Sequence, residues 1–153
     1  MQANAQQTAI NEQTVEQAGK LFDKLPMLGP IVWLLSQTPS HRHLFLSDLE
    51  WRILPPVSLG QCKLYMKGNA PLAFVSWAKV TDEVERRLSK GNVRLAPAEW
   101  ANGDKIWLVD VIAPFGGVPE LMKDLNENVF QEQEVNYLAA DDSGTNLVVK
   151  HLG

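Results

Sequence analysis

Asp110 stands in the middle of the apolar run Ile106-Trp107-Leu108-Val109-Asp110-Val111-Ile112-Ala113. Read with a two-residue period, it shares a face with Leu108 and Ile112, while Trp107, Val109, Val111 and Ala113 occupy the other face. An unpaired carboxylate in such surroundings costs several kcal/mol or stays protonated, so Asp110 calls for a hydrogen-bonding or cationic partner. A structural ion pair meets that demand as well as a catalytic one does. Among three histidines, His41 is the candidate partner. His151 lies two residues from the end of the chain, and His43 shares a loop with His41. Imidazole titrates near neutrality and suits proton transfer, although a loop histidine is more often a plain surface residue.

Two further features have types that could do chemistry. Cys62 could carry an acyl group as a thioester. It alternates with apolar neighbours, however, where cysteine behaves as a small hydrophobe. Gly116-Gly117, with Phe115 before them, follow the apolar run and precede a helical pattern. Their backbone N–H groups could face an anion or a reacting carbonyl, and strand-to-helix turns also use glycine for geometry alone. The sequence has no Walker-type loop, no GxGxxG and no Cys/His cluster with metal spacing.

The elements that must position these residues are short. Val15, Ala18, Leu21 and Phe22 fall at helical spacing, and Pro26 stops that helix. Gly29-Pro30 opens a second helix that runs out before Thr38-Pro39, which leaves His41 on a loop. Ser47 to Glu50 has capping-box spacing for one more turn, ended by Pro55-Pro56. Cys62 to Lys67 and Ala70 to Val80 form a hairpin about Gly68-Asn69. Asp82 with Glu85 caps a helix closed by Gly91. Lys105 to Pro114 is the strongest strand, apolar on both faces and therefore central in a covered sheet. A helix from Pro119 and two strands, about 134–140 and 146–152, complete the chain. The expected class is a single mixed α/β domain over residues 13–153, with a mostly antiparallel sheet and a flexible polar segment at 1–12.

Composition narrows the function classes. With 153 residues, 45% of them hydrophobic and 21% charged, the chain fits one globular domain. Its longest apolar run, Ile31 to Leu35, is far below the ~20 residues of a membrane-spanning helix. No basic and apolar leader precedes the polar start, and a lone cysteine gives no disulfide framework, so the cytoplasm is the expected compartment. A net charge of −4 argues against general nucleic-acid binding. The charge is uneven: Arg42 to Lys105 holds ten Lys and Arg against seven Asp and Glu, and the remainder is acidic. Arg86, Arg87, Lys90 and Arg94 cluster around one helix end and offer a docking patch for an acidic partner, or an ordinary solvated surface.

Three blocks of sequence carry a resemblance. Trp33-Leu34 with Thr38-Pro39-Ser40-His41-Arg42, then Ala73-Phe74-Val75-Ser76-Trp77-Ala78, then Gly103 to Gly117, resemble the RTX toxin-activating lysine acyltransferases, the haemolysin-activator family. The blocks come in the family's order. The resemblance implies a fold similar to the GNAT N-acyltransferases. It implies an acyl group on acyl carrier protein as donor, with no resident cofactor or metal, and internal lysines of an RTX protoxin as acceptor; a homodimer is a further expectation. The family's essential histidine and aspartate map onto His41 and Asp110. The family's Ser-Pro is Thr38-Pro39 here, and Ser40 adds a hydroxyl where the family often has an apolar residue.

The expected reaction is direct transfer. Lysine, with a pKa near 10.4, arrives as an unreactive ammonium. His41 takes a proton as the amine attacks the thioester, Asp110 orients the imidazole, and backbone N–H groups near Gly116 meet the oxyanion. A CoA-dependent GNAT acetyltransferase is the alternative enzyme, although Phe115 to Val118 lacks a basic residue for a pyrophosphate. A non-catalytic toxin chaperone or adaptor is the alternative outside catalysis.

Overall fold

The alternating Cys62, Leu64 and Met66, the apolar run from Ala70 to Val80 and Gly68-Asn69 between them make the central hairpin, β1 (Cys62–Lys67) and β2 (Ala70–Val80). In the computed structural model, which describes residues 11–131 and 133–153, four helices precede it: α1 (Glu12–Phe22), α2 (Leu28–Ser36), α3 (Leu49–Arg52) and α4 (Leu54–Leu59). After it come α5 (Asp82–Ser89), β3 (Lys105–Ile112), α6 (Val118–Asp124), β4 (Val135–Ala140) and β5 (Leu147–His151). The strands form one sheet in the order β1-β2-β3-β4-β5. Every neighbouring pair is antiparallel except β3 and β4, which run parallel across the crossover made by α6 and the π-helical turn Leu125–Val129. This is the mixed, mostly antiparallel α/β sheet expected from the sequence, and it is consistent with a GNAT-like fold.

Both faces of the sheet are covered. Ala73, Val75 and Trp77 of β2 point to the side of α6, where Trp77 meets Phe130 edge-on at 5.1 Å between ring centroids. Phe74, Ala78 and Val80 point to the other side, packing on α2, α4 and α5. Each fully buried large side chain here contributes roughly 1.5–3 kcal/mol of transfer free energy.

Several expectations are corrected. Pro55 and Pro56 sit in the first turn of α4 and do not end the preceding turn; their missing N–H groups are among those a helix start leaves unpaired. The cap of α5 is Thr81, whose hydroxyl accepts from the Val84 N–H, and Asp82 is the first helical residue. β3 ends at Ile112, before Pro114. The expected flexible segment 1–12 lies outside the described residues except for Asn11 and Glu12, and Glu12 opens α1.

The correction with most consequence concerns β3. Ser76 pairs with Asp110 and Trp77 pairs with Leu108, so Val109 is an extra residue against β2. This bulge breaks the two-residue alternation. Ile106 and Leu108 face α6, as expected of one face, but Asp110 and Ile112 face the opposite layer. Asp110 therefore does not share a face with Leu108.

Candidate active site

The bulge aims the Asp110 carboxylate at the helical layer, and the Ser76 hydroxyl accepts the Asp110 N–H at 3.2 Å across the kink. The carboxylate is only 2% exposed. Two side chains meet it. His41 Nε2 lies 2.9 Å from Oδ1. Arg52 grips both oxygens, with Nε donating to Oδ2 at 2.9 Å and Nη2 to Oδ1 at 2.7 Å. A two-pronged guanidinium bond fixes the plane of the carboxylate as well as its position.

His41 comes from the turn that ends α2. The Thr38 hydroxyl donates back to the Leu34 carbonyl at 2.9 Å, and the His41 and Arg42 N–H groups fold back onto the Thr38 carbonyl. Thr38 thus spends its hydroxyl on the helix end. Ser40 does not: its Oγ lies 2.7 Å from His41 Nδ1. Arg52 is the last residue of α3, whose start is tied by Asp48. That carboxylate accepts from the Phe45 N–H at 2.8 Å and from Trp51 Nε1 at 3.2 Å. The buried Trp100 donates from Nε1 to the Trp51 carbonyl at 3.0 Å, pinning the end of the helix that carries Arg52.

Burial works against the Asp110 charge, but hydrogen bonds from His41 and Arg52 and the charge of Arg52 outweigh it and hold the carboxyl below its usual range. Burial likewise opposes the Arg52 cation, and the hydrogen bond and charge of Asp110 outweigh that, with Asp48 adding to them. An ionised carboxylate only accepts. Nε2 has two neighbours, Asp110 Oδ1 and Arg52 Nη2, each at 2.9 Å. Because Nη2 makes its shorter bond, 2.7 Å, to Oδ1, the tautomer assigned to His41 is the one with its proton on Nε2, donating to Oδ1; the other tautomer sets two lone pairs 2.9 Å apart. Nδ1 is then the acceptor of the Ser40 hydroxyl.

This cluster lines a cavity. β3 and β4 pair only through Ile106 with Val135 and Trp107 with Asn136, although both strands continue. Beyond those pairs they separate, and a cavity of about 570 Å³ opens between them. Ser40, His41, Arg52 and Asp110 form its polar wall, with Leu88, Val93, Leu138 and Leu147 among its apolar lining.

The structure brings His41 and Asp110 together and adds Arg52, which the sequence reading does not single out. Gly116 and Gly117, at φ +89° and +82°, line a second hollow with Tyr65, Glu120 and Asp124, and Phe115 packs on Trp33; none of the three lines the cavity of His41. Cys62 lies outside the cavity lining, and burial pushes its thiol up to about 11, with the Lys24 charge a smaller opposing effect. Arg86, Lys90 and Arg94 are exposed around the end of α5, whose Leu88 lines the cavity. Arg87 is engaged: its Nη1 and Nη2 donate to the two carboxylate oxygens of Glu99 at 3.0 and 2.8 Å. Among the described residues, no three His, Cys, Asp or Glu side chains converge to hold a metal ion, and no helix is long and apolar enough to cross a membrane.

Comparison with known proteins assigns this architecture. The RTX toxin acyltransferase family matches residues 20–152. The chain is 38% identical over 101 residues to the RTX-II toxin-activating lysine-acyltransferase of Actinobacillus pleuropneumoniae, across 66% of this chain and 63% of that one. It is 40% identical over 90 residues to the leukotoxin-activating lysine-acyltransferase of Aggregatibacter actinomycetemcomitans, across 59% and 54%. An uncharacterized protein of Synechocystis is 31% identical over 146 residues, across 94% and 92%. The matches thus span somewhat more than half the length of the two toxin-activating relatives and nearly all of the Synechocystis protein. On the family match from residue 20 to residue 152, the chain belongs to the RTX toxin acyltransferase family.

Proposed function

We propose that this protein transfers a fatty acyl group from acyl carrier protein to lysine side chains of an RTX protoxin, with the cytoplasm as its compartment. The observation that carries the reading is the His41–Asp110 bond of 2.9 Å on the polar wall of the cavity between β3 and β4. A base held by a buried carboxylate beside a cavity with an apolar lining suits deprotonation of an amine next to an acyl thioester. The strand edges left unpaired where β3 and β4 separate offer N–H and C=O groups to the amides of a phosphopantetheine arm. Arg86, Lys90 and Arg94, exposed around the end of α5 whose Leu88 lines the cavity, suit an acidic carrier.

Lysine loses one proton to water to become nucleophilic. As its nitrogen attacks the thioester carbonyl, His41 takes a second proton, and Asp110 stabilises the imidazolium that forms. Arg52 keeps the carboxylate ionised and in plane. The C–S bond then breaks, and the thiolate recovers the proton from His41. Backbone N–H groups remain the source of oxyanion stabilisation in this reading, with Phe115, Gly116 and Gly117 as the candidates, although they do not line the cavity of His41. The expected homodimer is part of the same reading and is measured directly by sedimentation.

The donor is tested by offering matched acyl chains on carrier protein and on CoA. The reading expects efficient transfer from carrier protein, weakened by salt and by Arg86→Glu with Lys90→Glu through a higher KM for the carrier. Efficient transfer from CoA alone overturns it in favour of the acetyltransferase-like reading.

A further inference from the structure

The two ring nitrogens of His41 are not equivalent. Nε2 is enclosed, 2.9 Å from Asp110 Oδ1 and 2.9 Å from Arg52 Nη2. Nδ1 has the Ser40 hydroxyl as its partner, at 2.7 Å. Ser40 is exposed and lines the cavity, whereas the nearby hydroxyl of Thr38 is tied to the Leu34 carbonyl. With Nε2 held by Asp110 and Arg52, a substrate amine in the cavity reaches Nδ1 through the hydroxyl bonded to it, that of Ser40.

The geometry points to Ser40 as a further catalytic residue, a relay that carries the proton of the attacking lysine to His41 Nδ1. The inference rests on the lysine-acyltransferase reading. As the amine nitrogen bonds to the thioester carbon, its N–H proton passes to Ser40 Oγ while the Ser40 hydroxyl proton passes to Nδ1. The imidazolium so formed keeps Nε2–H on Asp110. When the C–S bond breaks, the leaving sulfur takes the proton from Nδ1 by the reverse route. Amine and thioester become amide and thiol, and Ser40 and His41 end as they began. No bond from Ser40 to carbon forms.

The relay moves two protons in one step, which a hydrogen–deuterium series detects. Single-turnover transfer from saturating acyl carrier protein to an unacylated RTX protoxin is measured in mixtures of H₂O and D₂O. The wild type is expected to give a curved dependence of rate on deuterium fraction. Ser40→Ala is expected to give a straight line and a rate lower by about tenfold or more, while a separate concentration series leaves the half-saturating concentrations of carrier protein and protoxin unchanged. Ser40→Thr, which restores a hydroxyl, is expected to recover the curve. A wild-type rate in Ser40→Ala, or a straight line in the wild type, overturns the relay. So does an acyl ester trapped on Ser40 by mass spectrometry, which would make it the nucleophile. A wild type that modifies no protoxin lysine fails the functional reading itself; an active wild type indifferent to Ser40→Ala fails the relay alone.

Discussion

Asp110→Asn exchanges two acceptor oxygens for one acceptor and one donor, in a place where three N–H groups converge. With the amide oxygen at the Oδ1 position, His41 Nε2–H and Arg52 Nη2 keep their acceptor, but the amide NH₂ meets Arg52 Nε as a second donor. With the amide turned over, Arg52 Nε is satisfied and the NH₂ faces His41 Nε2, forcing the ring proton onto Nδ1. The first arrangement leaves the Arg52 cation without its counter-charge, and the second presents a donor where the reaction needs a base. Both lack the charge that stabilises imidazolium. Loss of the matching carboxylate in a His–Asp unit lowers kcat by about 10³ to 10⁴, or roughly 4–5.5 kcal/mol. Arg52 retains 19% exposure, so water relieves part of the uncompensated charge. The stability cost should sit near the low end for a broken buried pair, about 3 kcal/mol, which lowers Tm by roughly 6–12 °C. Single-turnover transfer and thermal denaturation on the same preparation separate the two effects. A folded Asp110→Asn protein with activity within about tenfold of the wild type would refute the charge-based role of Asp110.

Other perturbations probe other parts of the molecule. Cys62→Ser should keep wild-type transfer within about twofold, because the thiol lies outside the cavity lining and burial holds it up near 11, which leaves little thiolate to accept an acyl group; a folded but inactive variant, with a trapped thioester on the wild type, contradicts this. Asp124 is held at about 2 by hydrogen bonds from Lys63, Tyr65 and Asn128. Because its folded pKa is depressed, its stabilisation is complete above pH ~4 and is lost as pH falls toward ~2, so Asp124→Asn should flatten that part of a stability–pH curve. An unchanged slope shows that the ion pair contributes nothing. At Gly103 an added Cβ would run into the Val80 carbonyl group, so Gly103→Ala must shift the backbone entering β3. A Tm drop of several degrees is expected, and an unaltered Tm refutes the close approach.

The elements around the site were legible where local pattern decides them. The hairpin about Gly68-Asn69, the helix ended before Thr38-Pro39 and the doubly apolar β3 all follow from alternation, proline and turn chemistry. The bulge at Val109 was not legible, because an extra residue leaves no mark in a run apolar on both faces. That is why the sequence assigned Asp110 to the face of Leu108. Arg52 escaped for another reason. It lies 58 positions from Asp110, and nothing local distinguishes a guanidinium that folds inward from one on the surface. Likewise the contrast between Thr38 and Ser40 is one of hydroxyl direction, which the sequence Thr38-Pro39-Ser40 does not encode in any period.

The central claim, lysine acyl transfer dependent on His41, is tested most directly by site-resolved mass spectrometry. An unacylated RTX protoxin is incubated with acyl carrier protein bearing a fatty acyl chain and either wild-type protein or His41→Ala. The account predicts the mass of one acyl chain on particular protoxin lysines with the wild type, and none above background with a His41→Ala protein that melts at or near the wild-type temperature. Unmodified lysines with the wild type, or equal acylation by His41→Ala, would contradict it.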